Sequence, residues 1–269
     1  MKRSHLPGVI TWLTLAFFYL PIILLVVNSV NANRHGTSWG GFTFQWYHDL
    51  FLPDHRGIFR GKEIWMALRN TLIVAVLGTI GSTILGTFAA FALHKYKSKF
   101  QNVHYTMIYT PLVLPDILIG ISLLIFFIAV KFPLGLTAIV IAHITFCISY
   151  VAMAVLSRLQ DFDMTILEAA RDLGANTWQT TWKVLVPIIL PGIFAGALLA
   201  FTLSIDDFVI TFFVNGPGTT TLPIQIQGMI KRGSLELINS LSTLLLAITF
   251  LAILGYQMLL KRAERNAAD

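Results

Sequence analysis

Three carboxylates stand in this chain where apolar neighbours give them little company. Asp116 interrupts an otherwise uncharged run at about 104–129, and Asp206 and Asp207 fall in "SIDDFVITFFVNGPG". Isolated carboxylates can move protons, ligate a metal or hold a cation. The first two need a convergent acid, base or ligand set. The sequence has no H-E-x-x-H, no metal-spaced cysteine pair (Cys147 is single) and no G-x-S-x-G turn. An intramembrane enzyme built on these aspartates would lack a partner. Holding a cation needs less. A charge near the bilayer centre costs about 2.5–3.5 kcal/mol on insertion scales, so an intramembrane carboxylate calls for a counter-charge. No lysine or arginine lies inside the apolar runs, so that charge must come from outside this chain. A bound cation fits; an oxyanion would prefer a basic lining. Blander readings stand beside this one. Asp116 follows Pro115 and can cap a broken helix. Asp206 and Asp207 can sit solvated at a helix end, unless the helix continues through "FVITFFV" and leaves them deeper. His143 reads as a satisfied packing histidine, and Lys231 as a solvated lysine.

The elements that carry these residues follow from composition. Of 269 residues, 56% are hydrophobic and only 12% are charged, against about 25% charged in soluble domains. Segments 4–33, 70–94, 132–157, 184–205 and 237–260 contain no Asp, Glu, Lys or Arg. About 20 helical residues cross the ~30 Å hydrocarbon core. The expectation is an all-α membrane protein with six spans, at about 8–30, 68–94, 104–129, 134–157, 184–205 and 238–260, forming one domain over residues 1–269. The first run is longer than a signal-peptide core and reads as a retained helix. Gly78, Gly81 and Gly86 allow close helix approach, and Pro111 and Pro115 interrupt the third span. The net charge is +6, and the clusters "HKYKSK" and "KRAER" abut span ends. The positive-inside rule then places both termini in the cytoplasm. These basic residues flank spans and form no separate domain, which argues against a nucleic-acid partner. The segment 31–67 receives no role from its sequence.

One cytoplasmic segment, about 158–183, is polar and amphipathic. Asp163 can cap a helix in which Ile166, Leu167, Ala170 and Leu173 recur at helical spacing. Gly174 is placed to end it in the left-handed conformation. Asn176 or Thr177 can cap a second helix, with Trp178 and Trp182 one turn apart and Pro187 just inside the next span. By pattern alone this is either an interfacial helix or a docking element for a partner. Its wording decides for the second. "EAARDLG" followed by "VLVP" resembles the EAA motif of ATP-binding-cassette importer permeases, with Glu168, Ala169, Ala170 and Gly174 matching. "YLPIILLVVNSVN", "GFTFQWY", "HITFCISYV" and "FTLSIDDFVITFFVNGP" extend the likeness to spermidine/putrescine permease subunits over nearly the whole chain.

The resemblance implies an inner-membrane permease subunit with the MetI-like five-helix core plus an N-terminal helix. The 158–183 loop would be the coupling helix, docking on an ATPase dimer. A second permease chain and a periplasmic binding protein would complete the importer, which works by alternating access. The nearest string to a phosphate loop here, "GIFRGKE", has the wrong spacing and lacks the Ser or Thr. ATP and Mg would therefore belong to the partner ATPase, and this chain would hold no cofactor. Asp116, Asp206 and Asp207 would lie on the path of the polyamine.

Overall fold

The computed structural model describes residues 6–34, 36–53, 61–95, 99–160, 162–163 and 165–268, and nearly all of them are helical. The elements run α1 (Leu6–Ser29), α2 (Gln45–Phe51), α3 (Lys62–Lys95), α4 (Gln101–Val113), α5 (Asp116–Ala129) and α6 (Leu136–Gln160). Then come α7 (Thr165–Asp172), the short α8 (Thr177–Gln179), a π-helical turn (Thr180–Leu185), α9 (Val186–Asp206), α10 (Val209–Val214), α11 (Leu222–Arg232) and α12 (Leu235–Ala268). Among the described residues the sole strand-like pairing is an isolated bridge between Asn31 and Phe42. In hydrocarbon each backbone polar group must be satisfied within its own segment, which long helices do.

Five helical runs are long and apolar enough to span a bilayer: α1, α3, α6, the continuous run from Thr177 to Asp206, and α12. The expected third span is instead a bent pair, with α4 and α5 meeting at 110°. Pro115 explains the bend. It has no N–H to continue the helix, and it pushes Leu114 into the extended region (φ −69°, ψ 137°). Counting the bent pair as one broken span gives six. Two boundaries also shift. α3 begins at Lys62, ahead of the expected start near 68, and α12 begins at Leu235. Glu236 thus enters the first turn of the last span, a carboxylate that the sequence reading leaves outside the helices.

The chain divides into two compact units, residues 1–65 with 226–269, and residues 66–225. In the first, α12 packs on α1 and α2. The loop after α1 is organised by Asn31, which is buried. Its Oδ1 accepts from the N–H groups of Asn33 (3.0 Å) and Gly40 (2.9 Å), and its Nδ2 donates to the Ser38 carbonyl (2.9 Å). The Trp46 indole donates to the Asn31 carbonyl at 2.8 Å. Arg34 lies 3.7 Å from the buried Glu236 carboxylate and 6.0 Å from the Trp46 ring centre. Removing a partner from buried backbone donors costs about 1–3 kcal/mol. Asn31→Ala should therefore lower the thermal midpoint of the detergent-solubilised protein by several degrees. An unchanged midpoint would show that this loop adds nothing to stability.

In the second unit α6 is the central helix. It is buried along most of its length and packs on α9 most extensively, then on α4, α10 and α5. Small residues set these distances. A Cβ on Gly86 would come within 2.7 Å of Val151 Cβ, and one on Gly196 within 3.1 Å of Val151 Cα, so α3 and α9 both close on the same stretch of α6. α10 packs on α5, where Gly120 leaves room for the Phe213 ring. Asn70 donates to the Thr220 carbonyl (3.0 Å), and the Thr71 hydroxyl accepts from Leu222 N–H (2.7 Å), which ties the start of α11 to α3.

Candidate functional site

The polar segment folds as its local rules require. The Asp163 carboxylate accepts from Thr165 N–H at 2.9 Å, and that bond holds it below the usual carboxylate range. α7 follows with no residue buried, and Glu168 and Ala169 point to solvent. Leu173 is 90% exposed. The turn after α7 places Gly174 at φ +89°, a left-handed conformation that favours glycine. Gly174 N–H bonds the Arg171 carbonyl (2.8 Å) and Ala175 N–H bonds that of Ala170 (3.1 Å), closing the helix end. Asn176 and Gln179 form a reciprocal capping box over α8. The Trp178 and Trp182 rings lie 5.3 Å apart, both largely exposed.

The π-helical turn is not expected from the sequence. In an α-helix the Pro187 ring would press on the Lys183 carbonyl, to which it could not donate. The wider turn, in which Val186 N–H reaches the Thr181 carbonyl, removes that conflict. Such turns often mark functional positions in helices. This one joins the exposed segment to the span that ends at Asp206.

The aspartate pair sits at a helix break. α9 ends at Asp206, Asp207 is extended (φ −64°, ψ 122°), and α10 begins at Val209. The helix does not continue through "FVITFFV" because Asp207 caps a new one. Its Oδ1 accepts from Ile210 N–H (3.1 Å), and its Oδ2 accepts from Thr211 N–H (2.8 Å) and the Thr211 hydroxyl (2.6 Å). His143 Nε2 from α6 lies 3.3 Å from the same Oδ2 and 2.9 Å from Thr211 Oγ1. The single hydroxyl hydrogen of Thr211 goes to Asp207, so His143 donates to Thr211, and its Nε2 carries the hydrogen. Nδ1 is buried with no hydrogen-bond partner among the described residues. The Asp207 side chain is only 7% exposed and that of His143 1%.

His143 is the buried packing histidine that the sequence suggests, satisfied at Nε2, and it gives the Asp207 corner a hydrogen-bonding neighbour from α6. A histidine in an otherwise uncharged span is the sequence signal of that link. Asp206 and Asp116 are different: both are exposed and neither makes a hydrogen bond or ion pair among the described residues. Asp116 opens α5 directly after the bend. Beside that bend, Tyr105, Thr106, Tyr109, Thr110, Val113 and Leu114 line a groove of about 440 Å³ along α4. Among the described residues no group of three or more His, Cys, Asp or Glu could hold a metal ion.

The sequence profile described as "Binding-protein-dependent transport system inner membrane component" matches residues 82–265. The chain is 36% identical over 255 residues to the spermidine/putrescine transport system permease protein PotC of Escherichia coli K12, covering 94% of each. It is 38% identical over 274 residues to the putrescine transport system permease protein PotI of the same strain, covering 99% of this chain and 95% of that one. In structure it resembles a chain of a bacterial ABC transporter that imports the acidic polysaccharide alginate. The TM-score is 0.69 at 18% identity, over 95% of this chain and 98% of that one. An amino acid ABC transporter solved with histidines matches with TM-score 0.53 at 20% identity, over 72% of this chain and 92% of that one. These two structures establish a shared fold.

Proposed function

We propose, because the chain belongs to the family of binding-protein-dependent transport system inner membrane components, that it moves spermidine or putrescine through an ATP-binding-cassette importer. The chain is a permease subunit and not an enzyme. The observation that carries the cargo class is the 36% and 38% identity to PotC and PotI over nearly the whole chain. Physical features agree with it. Asp116 and Asp206 are exposed without an ion pair among the described residues, and Tyr105 and Tyr109 line the groove along α4. Carboxylates and aromatic faces together suit an organic ammonium ion.

In this reading the whole chain, 1–269, acts as one permease domain, with both termini in the cytoplasm. It pairs with a second permease subunit, an ATPase dimer that binds ATP and Mg, and a periplasmic binding protein that delivers the cargo. Glu168, Ala169, Ala170 and Gly174 form the docking contact with the ATPase. Closure of the ATPase dimer moves α7, and the π-helical turn passes that motion into the span ending at Asp206. Asp116, Asp206 and Asp207 make the path acidic. Its contacts stay weak, since a path must also release what it holds.

The test is uptake of labelled spermidine and putrescine by cells lacking their own polyamine importers, expressing the chain with its partner subunits. Wild type should accumulate the label. The Asp116→Asn/Asp206→Asn double variant should lose at least about tenfold in uptake at equal assembly, since each neutralisation removes a charge-assisted contact. No uptake by wild type would move the cargo to another class. Undiminished uptake by the variant would take these carboxylates off the path.

A further inference from the structure

We infer that Asp207, Thr211 and His143 form a latch holding the α9–α10 break against α6, and that Asp207 serves transport by positioning Asp206. The inference rests on the cation-path reading for the role of Asp206 alone. The two neighbours divide one task. Asp207 spends both oxygens on Ile210 and Thr211, with His143 Nε2 at 3.3 Å. A passing ammonium group would have to displace these bonds to reach it. Asp206 has no such engagement and is exposed. Because Asp206 is the last residue of α9, whatever fixes the break fixes where its carboxylate stands.

Packing backs the latch from three helices. Gly78 of α3 abuts it so closely that an added Cβ would lie 3.2 Å from His143 Cβ and 3.5 Å from Ser204 Oγ. Ser204, on α9, is buried. Cys147, one turn beyond His143 on α6, places Sγ 3.7 Å from both the Ala200 carbonyl and Ser204 Oγ of α9. Break, histidine and α6–α9 seam are thus one packed unit, and a discontinuous helix in a transporter is where a moving part would be set. A hydrogen-bond relay of this kind holds one geometry only while each member is present. Thr211 is its hinge, since its hydroxyl donates to Asp207 and accepts from His143.

The experiment uses the assembled transporter in vesicles. Thr211→Val keeps the shape and removes the relay. It should lower the maximal uptake rate about tenfold while the KM for polyamine stays within about twofold. Thr211→Ser restores the hydroxyl and should recover uptake. Asp206→Asn should instead raise the KM about tenfold. A Thr211→Val transporter with raised KM and full maximal rate, or with neither changed, overturns the latch. A second readout needs no cargo. Cys147 is the chain's single cysteine, and its alkylation by N-ethylmaleimide, followed by mass spectrometry of this chain, reports opening of the α6–α9 seam. Alkylation should quicken about tenfold in Thr211→Val and stay at the wild-type rate in Thr211→Ser and Asp206→Asn. Equal rates in all variants overturn the latch. If wild type moves no polyamine, the cargo reading fails and the alkylation rates still decide this one.

Discussion

Glu168→Lys is expected to reduce transport by at least about 100-fold while the protein remains inserted in the membrane. The expectation comes from setting a small intramolecular effect against a large intermolecular one. Within the chain Glu168 does little. It is exposed, sits in the first turn of α7 and packs against nothing buried. Reversing its charge there forfeits a favourable helix-dipole term of about 0.3–1 kcal/mol. Across an interface the balance changes. A like charge forced against a partner's basic side chain costs several kcal/mol, and each 1.4 kcal/mol is about tenfold in occupancy. α7 is exposed in the way the proposed docking requires. Ile166 and Leu173 are exposed although apolar, the alanines between them leave the helix face low, and Gly174 turns the chain away immediately after. Uptake should be measured against membrane-inserted protein in the same cells, with co-purification of the ATPase as the second readout. Loss of both uptake and ATPase places Glu168 in the docking contact. Normal uptake removes it from that role, and Glu168→Gln should fall between because it deletes the charge without reversing it.

Some of this architecture was legible because it is written in local terms. A run without Asp, Glu, Lys or Arg has one favourable environment whatever surrounds it, so the spans stood out. Asp163, Gly174 and Asn176 cap and end their helices through bonds that span two to five residues. Pro115 announced a break but not its angle, because proline removes a bond without saying where the chain goes next. The pieces that stayed hidden depend on distance along the chain. His143 and Thr211 are 68 residues apart, and only the packing of α6 on the α9–α10 corner unites them. Arg34 and Glu236 meet in the same way, and Glu236 looked like a loop residue until α12 was seen to start at Leu235. The break after Asp206 was masked by apolar residues on both sides. An apolar stretch gives the same signal whether its helix is continuous or capped anew midway.

Gly86→Val is expected to remove nearly all stably folded protein, while Gly255→Val leaves its amount unchanged. Both glycines lie in spanning helices and both changes raise local hydropathy, so insertion into the membrane does not separate them. Packing does. A Cβ at Gly86 would lie 2.7 Å from Val151 Cβ and 2.9 Å from both the Ile148 carbonyl oxygen and Val151 Cγ1. One of those atoms is backbone in the middle of α6, and Val151 is fully buried, so neither neighbour can swing away. The added methyls would force α3 off α6, and overpacking of a tight contact costs about 1–3 kcal/mol and occasionally more. Here the helix being pushed is also the one on which α9 closes, because Gly196 meets Val151 from the other side. Pushing α6 would also disturb its contact with α9, so the cost should lie at or above the upper end of that range, a large share of the whole stability of a domain. At Gly255 no heavy atom of the described residues beyond its own stretch of helix lies within 4 Å of an added Cβ. The measurement is the monodisperse fraction after solubilisation, with total membrane protein as reference. A Gly86→Val protein that elutes like wild type would mean that α3 does not need this approach to α6, and that the helix pair tolerates a wider spacing than Val151 and Ile148 leave it.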